Sequence, residues 1–109
     1  MLEVLLESRV KEQILLYLFI NGSSYPRELA KNFECHLYTI QNQLKKLEDG
    51  GVLYSQLKGR VRLYGLNPRY PFKKELASLL EKVYEFLSSE VKGKYYIKRT
   101  RPRKAGKPL

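Results

Sequence analysis

This 109-residue sequence contains one cysteine and one histidine. A lone Cys35 cannot close an internal disulfide, and it suits a reducing compartment. With His36 beside it, the pair offers two metal ligands where a structural zinc takes four, and four would be reached only if two subunits met there. Cys35 is therefore expected as a small core residue, His36 as a helix cap or a phosphate contact, and no metal is expected. Long apolar runs are also missing. The longest, Ile14 to Ile20, falls far short of the ~20 residues needed to cross a bilayer. The beginning lacks the charged start, long apolar centre and cleavage site of a secretory signal, and Glu3 and Glu7 follow closely on Met1, so a cytoplasmic location is expected. The seven glycines fall as stops and turns, none in a phosphate-cradling loop. No nucleophile with a base and no pair of carboxylates stands at a recognisable spacing. A chain that is not an enzyme and carries no cofactor is the expectation. The absence of tryptophan and the single methionine exclude nothing.

Acidic residues are absent from one end. Residues 92–109 hold eight basic side chains (Lys92, Lys94, Lys98, Arg99, Arg101, Arg103, Lys104, Lys107) and no acidic one. Of the net charge of +10, residues 1–91 carry 13 basic against 11 acidic groups. The body is thus nearly neutral and the end strongly cationic, a pattern suited to a polyanion but unspecific. A hydrophobic content of 43%, with nine tyrosines and four phenylalanines supplying bulk, suffices for one domain.

Within the body, a short apolar lead-in (Leu2, Val4, Leu5, Leu6) reaches Ser8, which can cap a helix carrying Val10, Ile14, Leu15 and Leu18 at helical spacing. Asn21-Gly22 ends it. Ser23 and Ser24 offer a second cap, Pro26 suits a first helical turn, and Glu28 complements the dipole of a short helix running to about Asn32. After a tight turn a third helix, from about Leu37 to Asp49, places Ile40, Leu44 and Leu47 on one face, and Gly50-Gly51 stops it. The period then becomes extended. Val52 to Leu57 and Arg60 to Leu66 read as strands joined by a Lys58-Gly59 turn. Asn67-Pro68 and Pro71 break the second strand, and residues 72–91 read as one long helix. Leu76, Leu80, Val83 and Leu87 form its main stripe, flanked by Leu79 and Phe86 and by Ala77, Tyr84 and Val91, an arc too wide for one small domain.

Two helices, a tight turn, a third helix ending in glycine and a basic-tipped hairpin make the order of a winged helix-turn-helix. The predicted class is mainly α with a small β-hairpin wing. With Ile40, Leu44 and Leu47 inward, the third helix turns Tyr38, Gln41, Asn42 and Lys45 outward. Gln and Asn can pair bidentately with adenine, and Lys can reach a guanine edge or a phosphate. His36 and Thr39 stand at the helix start, where phosphate contacts are favoured. Lys58, Arg60 and Arg62 would serve on the wing, the two arginines sharing strand parity and hence one face. Lys98, Arg99, Arg101, Arg103 and Lys104 would hold DNA backbone. The Tyr95-Tyr96 pair could stack on bases or sit against the long helix.

The stretch Ser8 to Leu80 resembles the winged-helix regulators of the ArsR and MarR type. The matching pieces are Ser8-Arg9-Val10 with Ile14-Leu15 and Leu18, Arg27-Glu28-Leu29-Ala30, Thr39-Ile40, Leu44-Lys45-Lys46-Leu47-Glu48 with Gly51, and Tyr64 with Leu66-Asn67-Pro68. The resemblance implies a homodimer joined through terminal helices, with one recognition helix per half-site, and this agrees with the over-wide arc. The expected plan is a DNA-binding domain over 1–71, a dimerisation helix over 72–91 using Leu76, Leu80, Val83 and Leu87, and a basic flexible tail over 92–109. Metal-sensing members of the ArsR type use clusters of Cys, His and carboxylates, which this chain lacks. The expected function is sequence-specific binding of double-stranded DNA as a regulator, repression by promoter occupancy being the default. Two rivals stand: a winged-helix adaptor, marked by an apolar outer face on the third helix, and an RNA-binding module resting on the tail and its tyrosines.

Overall fold

The structure is a computed structural model and describes residues 1–95. The apolar lead-in closes into a single helical turn, α1 (Glu3–Leu6), which stops at Glu7 with a left-handed φ of 56°. Leu2 and Leu6 pack on the core while Val4 and Leu5 stand in solvent. Ser8 caps α2 (Arg9–Asn21) as its position predicts, its hydroxyl oxygen accepting from the Lys11 amide at 3.1 Å. Five consecutive residues, Ile14 to Leu18, are buried. A helix enclosed on so many sides is the centre of the domain, and the other elements are laid around it.

The expected serine cap of the next helix does not form. Ser23 and Ser24 make a short strand, β1 (Ser23–Ser24), and the cap position of α3 (Pro26–Asn32) falls to Tyr25, with no side-chain cap bond. Strand pairing holds the serines upstream of the free amides they would have to reach, and the Ser24 hydroxyl donates instead to Glu28 Oε1 at 2.6 Å. Pro26 at the helix start and Glu28 in the first turn stand as expected. A turn with Glu34 at φ 52° leads into α4 (Leu37–Asp49), whose bounds match the sequence reading and whose Ile40, Leu44 and Leu47 are buried. Gly51, at φ 81°, takes the left-handed turn that ends it.

The turn of the hairpin lies one residue later than expected, which slips the strand pairing by two. The hairpin consists of β2 (Leu53–Lys58) and β3 (Val61–Leu66), with Lys58 opposite Val61, so the turn is Gly59-Arg60 and Gly59 supplies its positive φ of 64°. Strand β3 also pairs with β1, giving a three-stranded antiparallel sheet in the order β1-β3-β2. Gly65 lies where the three strands crowd. A Cβ there would meet the Tyr54 ring at 3.0 Å and the Gly22 carbonyl at 3.1 Å. Asn67 ties the sheet exit to the end of α4, its Nδ2 donating to the Gly51 carbonyl at 2.9 Å.

The long helix expected over 72–91 is two helices, α5 (Lys73–Phe86) and α6 (Ser89–Tyr95). Leu87 is extended, with ψ 148°, and the Ser88 hydroxyl oxygen accepts from the Val91 amide at 3.3 Å. Tertiary packing overrides local propensity here. The break lets Leu87 lie on the core and swings α6 back so that Tyr95 is buried, its ring 5.4 Å from that of Phe33. Two carboxamides secure the end of α6: Asn21 Nδ2 donates to the Tyr95 carbonyl at 2.6 Å and Asn32 Nδ2 to the Lys94 carbonyl at 2.7 Å. Lys92 and Lys94 therefore belong to this helix, and the expected tail boundary at 92 moves beyond Tyr95.

The four residues read as a dimer seam lie against this chain's own core. Leu80 and Val83 are 0% and 5% exposed within this one chain, and Leu76 and Leu87 pack partly against its core. The stripe is the helix's inward face. What α5 leaves outside is a second apolar row at seven-residue spacing, Phe72, Leu79 and Phe86.

Candidate nucleic-acid interface

Helix α4 has two chemically distinct sides because its apolar residues recur every three or four positions. Its inner side locks onto the domain through Ile40, Leu44 and Leu47. Its outer side brings together Tyr38, Gln41, Asn42 and Lys45, all exposed, with Tyr38 76% accessible. Lys45 Nζ lies 3.3 Å from Asp49 Oδ2, so this cation has an exposed carboxylate partner one turn on. His36 occupies the helix start in an extended conformation, exposed and without a side-chain cap bond, and Thr39 is half-buried. Cys35 is half-buried and packs partly on the core.

Arg27 and Lys31 are two cations that sequence reasoning left out of the interface. They stand one turn apart on α3, exposed, and line an open groove with Ala30, Cys35, His36 and Leu37 at the entry to α4. Their signal was legible as an i, i+4 basic pair opposite the inward Leu29.

The wing residues Lys58, Arg60 and Arg62 are exposed but do not share one face. Arg60 sits in the turn, so the parity argument that joined it to Arg62 fails with the register shift. Cross-strand partners point to the same side of a hairpin. Arg62 therefore goes with Leu57 and Lys58 with Val61, on opposite faces. Arg62 is drawn toward α4: its Nη1 donates to Ser55 Oγ at 3.1 Å, and Ser55 Oγ donates to Glu48 Oε2 at 2.7 Å. Nearby, burial first and the Glu48 carboxylate second push the Tyr64 phenol above its ordinary range. Lys98, Arg99, Arg101, Arg103 and Lys104 lie outside the described residues.

Among the described residues no group of three or more His, Cys, Asp or Glu side chains is placed to hold a metal ion, and no helix is long and apolar enough to cross a membrane.

No family model and no curated protein matches the chain. Solved structures do. The chain is similar to AdcR, the adhesin competence repressor of Streptococcus pyogenes, at 20% identity over 85% of this chain and 70% of that one, with a TM-score of 0.59. YusO of Bacillus subtilis matches at 19% identity over 84% of this chain and 72% of that one, with a TM-score of 0.58. ZitR of Lactococcus lactis, a zinc-responsive MarR family member, matches at 18% identity over 79% of this chain and 67% of that one, with a TM-score of 0.53. A ZitR variant solved in complex with DNA matches with a TM-score of 0.52, at 18% identity over 79% of this chain and 66% of that one. The chain thus spans about two thirds of the length of ZitR. At these identities the likeness bears on architecture, and the chain is a MarR-like winged helix-turn-helix fold.

Proposed function

We propose that this chain binds double-stranded DNA and regulates transcription as a homodimer, α4 reading base edges from the major groove while the wing hairpin holds phosphate. The observation that carries this reading is the outer side of α4, where Gln41, Asn42 and Lys45 stand exposed beside Tyr38 on a helix whose other side is locked into the core. Beside the exposed Tyr38 ring, such a surface offers donors and acceptors for bases, which favours DNA over the adaptor reading. The fold likeness to a ZitR variant solved with DNA, and to a protein named as a repressor, supports it. The apolar row Phe72, Leu79 and Phe86 replaces the inward residues as the proposed face for a second subunit, and repression by promoter occupancy is the proposed mode. Residues 96–109 add six cations without an anion, and they are proposed to hold backbone phosphate. Deleting them should lower the slope of log affinity against log salt by about 0.9 for each phosphate released.

The decisive experiment selects duplexes from a random library with the full-length chain, in competition with single-stranded and structured RNA. The expected result is an enriched duplex motif with two similar half-sites. Enrichment of RNA alone, or of no duplex, would overturn the reading.

A further inference from the structure

We infer that Glu48 and Ser55 are positioning residues, which fix the angle of the hairpin against α4 by holding the Arg62 guanidinium. The inference rests on the DNA-binding reading and extends it. Three elements meet in one chain of contacts: Glu48 on α4, Ser55 on β2 and Arg62 on β3, joined at 2.7 and 3.1 Å through the Ser55 hydroxyl. A hydroxyl has one proton. The carboxylate can only accept, so that proton goes to Glu48, and the oxygen's lone pairs are left for the arginine. Both contacts have a charged member and are stronger than neutral hydrogen bonds. Ser55 and Glu48 are half-buried while Arg62 is exposed, so the anchor is partly shielded and its far end opens to the side a ligand would approach.

The consequence concerns what Arg62 does. Strand β1 reaches only Gly65 and Tyr64, so beyond them the hairpin is a two-stranded ribbon, which alone is weakly stable. The relay ties this one to the same helix that carries Gln41, Asn42 and Lys45, and so sets the separation between the base-reading surface and the wing. Glu48 is an anion on the helix proposed to face a polyanion. Held on Ser55, its carboxylate faces a hydroxyl donor and, beyond it, a guanidinium.

The test uses the full-length chain and a duplex from the selection above, with and without the flanking segment that the wing protects in a footprint. Ser55→Ala and Glu48→Gln should each weaken binding to the full duplex by about tenfold or more, the worth of one charge-assisted bond. Binding to the trimmed duplex should change less. Ser55→Thr keeps the hydroxyl and should keep the affinity. The double variant Ser55→Ala with Arg62→Gln should be no weaker than Arg62→Gln alone. In the free protein, denaturant unfolding of the Glu48→Gln and Arg62→Gln cycle should show a coupling of about threefold or more in the unfolding constant. Additive losses on DNA, or no coupling in the free protein, would overturn the relay. Failure of the native chain to select any duplex would overturn the DNA reading instead, and the unfolding cycle would still decide whether the three side chains act together.

Discussion

Helices α4 and α5 have 13 and 14 residues and each buries one stripe of aliphatic side chains, Ile40, Leu44 and Leu47 in the first, Leu80 and Val83 with Leu76 behind them in the second. On their outer sides they part company. Helix α4 shows Gln41, Asn42 and Lys45 to solvent; α5 shows Leu79 and Phe86, with Phe72 at its start. A large apolar side chain left in water forgoes ~1.5–3 kcal/mol of burial, and a row of three along one helix marks a surface meant for another apolar surface. The comparison teaches that the inward stripe identifies the domain and the outward remainder identifies the kind of partner. The proposed partners follow that division, nucleic acid for the first helix and a second copy for the other.

The largest test exchanges the inner and outer faces of α5. Leu80 is fully buried, so Leu80→Ala should cost ~2–5 kcal/mol, a large part of the ~5–15 kcal/mol that holds a domain of this kind together. Leu80→Lys, which buries a charge besides, should not fold. Circular dichroism with denaturant titration measures both. If Leu80→Lys keeps a native spectrum and becomes monomeric, the seam expected from the sequence was right and the inward placement of Leu80 is wrong.

The outer face should behave in the opposite way. Phe86 is 68% exposed, and Phe72→Lys with Phe86→Lys should leave the fold and its melting temperature nearly intact while weakening self-association at least ~tenfold, since each ring forgoes ~1.5–3 kcal/mol of burial. Light scattering across a concentration series reads this directly. A native protein that stays monomeric at high micromolar concentration would end the dimer proposal and leave the row of Phe72, Leu79 and Phe86 without an assigned partner.

The same contrast explains what could be read in advance. The bounds and both faces of α4 were legible because every signal was local: a 3.6-residue period, a turn too short for structure, and a glycine pair at the end. The inward face of α5 was not legible because two apolar stripes share that helix, and sequence spacing does not say which one the domain uses. The break at Leu87 was hidden for a related reason. The helix after it, α6, is held at its end by the distant carboxamides of Asn21 on α2 and Asn32 on α3, which no local pattern announces. Strand β1 is two residues long, too short for any period, and exists because β3 runs beside it. The wing was recognised, but its turn lies one residue later than expected, which moves Arg60 out of the strand into the turn and brings Lys58 into β2 on the face opposite Arg62.

On α4, Asn42→Ala should cost ~1–3 kcal/mol on a selected duplex if Asn42 makes a bidentate base contact. Unspecific binding should barely change, and a position in the selected motif should lose its preference. Asn42 is exposed and not part of the buried stripe, so unfolding should not confuse the result. Gel-shift titrations on the selected and a scrambled duplex supply the numbers. An equal loss on both, or none, would remove Asn42 from base reading and weaken the contrast between the two helices.

The smallest effect concerns the neighbouring pair on the same outer face. Lys45 and Asp49 are 3.3 Å apart, with side chains 74% and 64% exposed, and an exposed helical pair of this kind contributes ~0.3–0.5 kcal/mol. Asp49 is the last residue of α4, where a negative charge opposes the helix dipole by a similar ~0.3–1 kcal/mol. The two effects offset each other, so Asp49→Asn should leave the free protein within ~0.5 kcal/mol of native. DNA shifts that balance. A polyanion alongside α4 repels Asp49 and attracts Lys45, and the substitution removes the repulsion while releasing the lysine. Affinity should rise about two- to threefold at low salt, and the gain should shrink as salt is added, because exposed charges are screened beyond ~10 Å at 0.1 M. A uniform gain over all duplexes assigns Lys45 to phosphate; a gain confined to the selected duplex assigns it to a guanine edge. If affinity is unchanged at every salt concentration, neither charge lies in the field of the DNA, and the outer side of α4 is not the groove-reading surface.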